Sequence, residues 1–284
     1  MHRSWQWVVD DCDVRIGVTT SRRDRTTSTL VVADGHALLV DPSWDPDELA
    51  GLAADVAAAG IEVALGFATH AHHDHLLWHP ALGSAPRLAS PAVARQCAAD
   101  RDAIVAGLGP DWPAQLADLV GRVDAVGLGA GGPDAGGLRE GGPGAVAGTA
   151  LDWPGPEVRL LTHDAHSPGH TALWLPEQRV LIAGDMLSDV ELPLLEDSTP
   201  AAYAAGLARL REPAAQARVL IPGHGRIAAD GAAALRWAAD QAYLSALTRG
   251  RTPVDDRLRQ PGMAQAHAAN LATAAAELGP PPGR

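Results

Sequence analysis

Residues 69–75 read THAHHDH, which places His70, His72, Asp74 and His75 in one short stretch of chain. Imidazole nitrogens and carboxylate oxygens at that density are the donor set of a metal centre, and an H-x-H-x-D-H string needs an explanation. Three more residues of the same chemistry stand at comparable places: His170 in SPGHT, Asp185 in AGD and His224 in PGHG. Histidine and aspartate without thiolate suit zinc, with iron or manganese as alternatives. Seven candidate ligands exceed what one tetrahedral ion takes, so two ions are the economical expectation. Two such ions lower the pKa of a bound water and polarise a carbonyl, which makes hydrolysis without a serine or cysteine nucleophile the expected chemistry. Asp74 and Asp185 are the catalytic candidates, because a carboxylate at a metal can orient the nucleophile or take its proton.

These residues punctuate short apolar runs. Residues 61–68 are almost wholly apolar and lead into Thr69 and His70, as expected of a strand covered on both faces. Residues 180–183 lead to Asp185, residues 219–221 lead to His224, and His170 lies between strand-like runs 158–161 and 172–175. Strand ends followed by loops are where sites are usually built. Upstream, runs 14–18, 29–33 and 36–40 read as strands, the last two joined by Asp34-Gly35, a dipeptide suited to a two-residue hairpin turn. Asp45, Pro46, Asp47 and Glu48 signal a helix start, with Leu49, Leu52, Ala53 and Val56 as its apolar stripe and Gly60 as its end. Further helices are expected over 92–107, 113–120, from Ser198-Thr199-Pro200 through Leu210, 231–247 and 263–278. Residues 127–148, rich in glycine and proline, read as a loop joining two halves, about 1–126 and 149–284, of a single α/β domain.

Composition bounds the rest. The 284 residues are 46% hydrophobic, enough for a real core, and a chain disordered as a whole is excluded. The net charge is −12 and every basic residue is arginine; the acidity argues against nucleic acid as the main partner, and the hydrolase expectation makes the partner a small-molecule substrate. No stretch has the roughly 18 apolar residues of a membrane span, and the N-terminus lacks a leader pattern. Cys12 and Cys97 fit no paired-thiol metal spacing, and free thiols point to a reducing, cytoplasmic compartment. Nothing in the sequence sets the oligomeric state.

With these residues in order, the chain resembles the metallo-β-lactamase fold superfamily over about residues 13–230, whose signature is H-x-H-x-D-H followed by a lone histidine, an aspartate and a last histidine. The resemblance implies an αββα sandwich. It implies that His70, His72 and His170 hold one metal, that Asp74, His75 and His224 hold the other, and that Asp185 bridges them. It therefore implies a dinuclear hydrolase, acting on an ester, thioester, lactone or related acyl bond. A phosphodiesterase or nuclease of the same fold and a mononuclear iron oxidoreductase of the same fold are the competing readings. Departures narrow the acyl reading. No cysteine stands near Asp185, as some lactamases require. Leu76, Leu77 and Trp78 replace the glycine pair of the glyoxalase II type, and Met186, Leu187 and Ser188 lack the tyrosine of the lactonase type.

Around the ligands, Asp41 is a candidate to hold an imidazole by its other nitrogen, with Thr69, Ser167 and Thr171 as weaker ones. His73, His79, His163 and His166 read as supporting or surface residues rather than ligands. Ser188, Asp189 and Glu191 are near Asp185 in sequence, with no role assigned. The SRRDR loop, with Arg22, Arg23 and Arg25, reads as a solvated hairpin tip or as a flap for an anionic substrate. Trp44 and Trp78 read as core, or as the lining of a partly hydrophobic substrate pocket.

Overall fold

The structure is a computed structural model that describes residues 5–42, 44–126, 138–139, 149–251 and 253–278. Among the described residues the chain forms two sheets of seven strands each. The first contains Gln6–Asp10 (β1), Arg15–Thr20 (β2), Thr27–Ala33 (β3), His36–Val40 (β4), Glu62–Phe67 (β5), Arg87–Ala89 (β6) and Asp124–Ala125 (β7), in that order. Strands β1 to β4 are an antiparallel meander, and β4 to β7 pair in parallel. The Asp34-Gly35 turn between β3 and β4 has φ of +47° and +77°, the left-handed pair that a type I′ hairpin requires.

The second sheet contains Leu138–Arg139 (β8), Thr149–Leu151 (β9), Arg159–His163 (β10), His170–Leu175 (β11), Val180–Gly184 (β12), Val219–Pro222 (β13) and Ala228–Ala229 (β14). Its one parallel pair among the described residues is β12 with β13. The expected 127–148 loop lies outside the described residues except for β8, which pairs with β9.

Alternation along the strands explains the layers. Leu173 and Leu175 of β11 and Val180 and Ile182 of β12 share one apolar cluster with Ile16, Val31, Leu38, Val40, Leu65 and Phe67 of the first sheet. The two sheets therefore pack face to face. Ala172, Trp174, Leu181 and Ala183 point the other way, into a cluster with helices Pro200–Gln216 and Ala232–Thr248. The first sheet does the same with helices Pro46–Ala58 (α1), Pro91–Gly107 (α2) and Ala114–Ala117 (α3). We number the two helices of the second half α4 and α5, and Met263–Leu278, whose Ala274 joins the same outer cluster, α6. Burial on both faces is why β12 is apolar throughout and β5 is apolar after Glu62. The result is an αββα sandwich, and no described helix is long and apolar enough to cross a membrane.

Three local expectations change. Asp45 stands at the N-cap of α1 but makes no capping bond, because its carboxylate pairs instead with Arg22 at 3.4 Å and Arg23 at 3.5 Å. The helix expected over 113–120 is a single turn, Ala114–Ala117. Trp44 and Trp78, read as core or as pocket lining, narrow to core side chains, each 4% exposed.

The parallel pairs bring strand C-termini to a common rim, and the sheets are tied there. Thr171 N–H donates to Thr69 O at 2.9 Å, and Thr27 N–H donates to Gly223 O at 2.7 Å. Helix α4 closes over the β10–β11 loop through Gly206, where a Cβ would stand 2.5 Å from Ala165 Cβ and 3.1 Å from the His163 ring. A Gly206→Ala change gains about 1 kcal/mol of helix propensity but overpacks a site costing about 1–3 kcal/mol. We expect a net loss of up to about 2 kcal/mol, read as a lower midpoint in urea unfolding; a higher midpoint would show that α4 has room to move.

Candidate metal centre

Five loops meet at this rim. The loop after β4 carries Asp41, that after β5 carries His70, His72, Asp74 and His75, and the β10–β11 loop carries His166. Those after β12 and β13 carry Asp185 and His224. Of eight non-glycine residues with positive φ among the described residues, five lie here or in the β2–β3 turn beside it: Asp24, Arg25, Asp41, His166 and Leu187. Strained backbone at that density marks loops whose shape is imposed by what they hold.

Asp185 is the point of convergence. Its Oδ2 lies 3.3 Å from His70 Nε2, 3.3 Å from His166 Nε2 and 3.2 Å from His224 Nε2, and its Oδ1 lies 3.3 Å from His75 Nε2. Asp74 Oδ2 is 3.3 Å from both His75 Nε2 and His224 Nε2. Ligand atoms of His70, His72, His166 and Asp185 form one compact set, and those of Asp74, His75 and His224 form another. Asp185 and His224 also form a set with Glu191.

The outer partners decide which nitrogens face inward. His75 Nδ1 donates to Asp41 Oδ2 at 2.9 Å, and His224 Nδ1 donates to the Asp24 carbonyl at 2.9 Å. Thr69 Oγ1 donates to Asp41 Oδ2 at 2.7 Å and so accepts from His70 Nδ1 at 3.0 Å. His72 Nε2 donates to Asp197 Oδ2 at 3.0 Å, leaving Nδ1 to face His166 Nε2 at 3.1 Å. Each inward nitrogen is thus a lone pair. His75 Nε2 and His224 Nε2 stand 3.3 Å apart, both against carboxylates, an arrangement of acceptors with no donor between them. His70 Nε2 and Asp185 Oδ1 are buried without a hydrogen-bond partner. Buried acceptors facing one another are what cations satisfy, so these residues fit a pair of metal ions.

Without a cation the electrostatics are extreme. Burial alone would depress His75 and His224, but Asp185 foremost, with Asp74 and Asp41 at His75 and Glu191 and Asp74 at His224, holds both well above the usual imidazole range. Burial keeps His70 well below it. Burial would raise Asp74 and Asp185, yet the surrounding imidazoles hold both well below the usual carboxylate range. Glu191, half-buried, is pushed up to about 7 by desolvation, against His224 and with help from Asp185 and Asp74.

Six of the seven sequence-predicted ligands meet here: His70, His72, Asp74, His75, Asp185 and His224. His170 does not. Its Nε2 accepts from the backbone N–H of Asp185 at 3.1 Å, and its ring fills the space over Gly184, where a Cβ would stand 2.4 Å away. His166, four residues earlier, occupies the place expected of His170. The turn between them, with φ of +65° at His166 and +73° at Gly169, directs the earlier imidazole inward and leaves the later one on β11 as a brace. The signal was the glycine before Asp185, which a packed imidazole needs.

Among the supporting candidates, Asp41 is buried and binds both Thr69 and His75. Thr171 Oγ1 bonds Gly169 O and Thr162, Ser167 Oγ is buried without a partner, and His79 caps a 3₁₀ turn. His163 stacks on His170 at 4.9 Å and is lowered to about 4 by burial. His73 packs against Trp44. In the SRRDR loop Arg22 is paired with Asp47 at 2.6 Å, so its guanidinium is engaged by α1. It is the backbone of this loop that reaches the centre, through Asp24 O and through Thr26, whose Oγ1 donates to Asp74 at 3.1 Å. Asp197 and Glu191 were not singled out as site residues by spacing, since both lie on an irregular segment with no periodic pattern.

Comparison with known proteins agrees with this geometry. No curated protein sequence matches the chain. Solved structures similar to it include a metallo-beta-lactamase from Pontibacter korlensis, with a TM-score of 0.57 and 16% identity over 84% of this chain and 98% of that one. A metallo-beta-lactamase from Erythrobacter litoralis has a TM-score of 0.56 and 19% identity over 84% and 96%. FIM-1 from Pseudomonas aeruginosa, solved in a mono-zinc form, has 0.55 and 16% over 86% and 98%. At such identities these likenesses speak for the fold alone. The family profile described as the metallo-beta-lactamase superfamily matches residues 21–227, most of the chain and every residue of the cluster, and the chain belongs to that superfamily.

Proposed function

We propose that this protein is a dinuclear metal-dependent hydrolase of an ester, thioester, lactone or related acyl bond. The observation that carries the reading is the position of Asp185, whose two oxygens face imidazoles of both ligand sets. His70, His72 and His166 would hold one ion, with zinc suited to three imidazoles; Asp74, His75 and His224 would hold the other, and Asp185 would bridge. Bound there, the ions would supply an activated water at neutral pH and polarise the scissile carbonyl.

The chain's own residues do the rest. Asp41 fixes the His75 tautomer directly and that of His70 through Thr69, so neither ring must reorganise on loading. Asp74 and Asp185, kept ionised by their imidazoles, are placed to orient the attacking water and accept its proton. The completeness of the second ligand set favours this reading over a mononuclear iron oxidoreductase. The acidic chain, with Arg22 already paired, favours an acyl substrate over a phosphodiester. Soluble cytoplasmic operation on a small molecule completes the proposal.

Metal analysis with activity assays tests it. About two equivalents of metal are expected, and chelation should abolish hydrolysis of a panel of acyl esters, thioesters and lactones; one equivalent of iron with no zinc and no hydrolysis would sink the reading. His166→Ala should lose metal from the first set, whereas His170→Ala should retain both ions and lose stability; the reverse pattern would restore His170 as the ligand. Asp41→Asn should weaken metal binding about 10–100-fold. Gly223→Ala removes no ligand, but its Cβ would fall 1.9 Å from Asp185 Oδ1, so it should cost metal occupancy as Asp185→Asn does; full occupancy in Gly223→Ala would show that Asp185 is not held where its bridging role requires.

A further inference from the structure

Glu191 is a third carboxylate at the centre, outside the seven-residue pattern and without a role in the reading above. Ligand atoms of Glu191, Asp185 and His224 lie within 4.8 Å of one another. Among the described residues the Glu191 carboxylate accepts no hydrogen bond from a side chain or a backbone N–H, although the residue is half-buried. Asp185, 7% exposed, belongs to this set, and its Oδ1 is buried without a hydrogen-bond partner. Two acceptors converging with no donor between them call for a cation there.

The backbone under Glu191 is built to hold this place. Its N–H donates to Ser188 Oγ at 3.1 Å, and Ser188 Oγ in turn donates to the His224 carbonyl at 2.8 Å. Its carbonyl accepts from Arg257 Nη1 at 2.9 Å, which also donates to Ser188 O at 3.1 Å and to Asp240 Oδ1 at 2.6 Å. Asp240 Oδ2 accepts from the N–H of Leu187, at φ +58°. Arg257 and Asp240 are 7% and 1% exposed, and both lie beyond residue 227, where the family match ends. Helix α5 and the turn after it thus fix segment 187–191 from beyond the span of the family match.

Resting on the dinuclear reading, we propose that Glu191 is a further ligand of the ion held by Asp74, His75 and His224. The two positions then differ in kind. The first offers three imidazoles and the shared Asp185. The second offers two imidazoles, Asp74, Asp185 and Glu191, an oxygen-rich set that suits a harder ion such as Mn2+.

The test loads the full chain with one equivalent of Zn2+ and titrates Mn2+, followed by electron paramagnetic resonance, with zinc content measured in parallel. Glu191→Gln, close in shape, should weaken Mn2+ binding by about tenfold or more while the zinc content and the circular dichroism spectrum stay as in the wild type. Glu191→Asp keeps the charge but withdraws the oxygens by one methylene, and it should bind Mn2+ as poorly as Glu191→Gln. Wild-type Mn2+ affinity in Glu191→Gln overturns the proposal. Recovery in Glu191→Asp overturns it too, by reducing Glu191 to a nearby charge. A wild-type chain that takes up zinc but no Mn2+ also overturns it, whereas one that takes up neither ion removes the dinuclear reading itself.

Discussion

The rim of this sandwich is organised by the crowding around one carboxylate. Asp185 must lie within 3.3 Å of four imidazole nitrogens that come from three other loops and both sheets. That demand removes side chains from its neighbours: Gly184 yields its Cβ space to His170, and Gly223 yields it to Asp185 itself. It also requires the two sheets to meet at this edge, which the Thr69–Thr171 and Thr27–Gly223 backbone bonds accomplish. The apolar layer between the sheets supplies cohesion, but it is indifferent to small slides. Directional hydrogen bonds at the rim set the register on which a cluster with tolerances of tenths of an ångström depends.

A second layer turns this register into chemistry. Four imidazoles are locked by carboxylate, hydroxyl or carbonyl acceptors at the outer nitrogen: Asp41, Thr69, Asp24 O and Asp197. Each lock removes a tautomer in which a proton would point at the centre. Asp41 serves two of them, one directly and one through Thr69, so the order of the relay Asp41–Thr69–His70 is itself constrained. The β2–β3 turn reaches the centre by its backbone and by Thr26. Its three arginines could therefore vary in sequence without disturbing the centre, provided the left-handed pair at Asp24 and Arg25 survives.

Much of this was legible in the sequence. H-x-H-x-D-H lies on one loop, where spacing and spatial proximity coincide, and Asp185 and His224 each follow an apolar strand that must end at the same rim. Asp41 was legible for the same reason. His166 was not, because the choice between two histidines four residues apart depends on the handedness of the turn between them rather than on spacing. Strands β6 and β7, of three and two residues, escaped because they are too short to carry a hydrophobic period, and β1 escaped as an edge strand with only partly buried residues between exposed ends. Glu191 and Asp197 escaped because their placement depends on residues far along the chain, Arg257 and Asp240 for the first and the reach to His72 for the second.

Those two residues also show how the outer segments reach the site. Both sit on the irregular segment between β12 and α4, beside one ligand set each. The shared fold provides the strand ends and the histidines, and it ends in the family match at residue 227. Helix α5 and the turn holding Arg257 lie beyond it and grip the segment by its backbone, through a buried arginine between Asp240 and Asp255. Burying such charges is costly unless every donor is used, and all three of the Arg257 nitrogens are. A buried ion network that bonds the backbone of one loop constrains that loop's shape. The segment so constrained carries Glu191 to the set that it forms with Asp185 and His224, so helix α5 and the Arg257 turn position a side chain at the rim that no strand end carries.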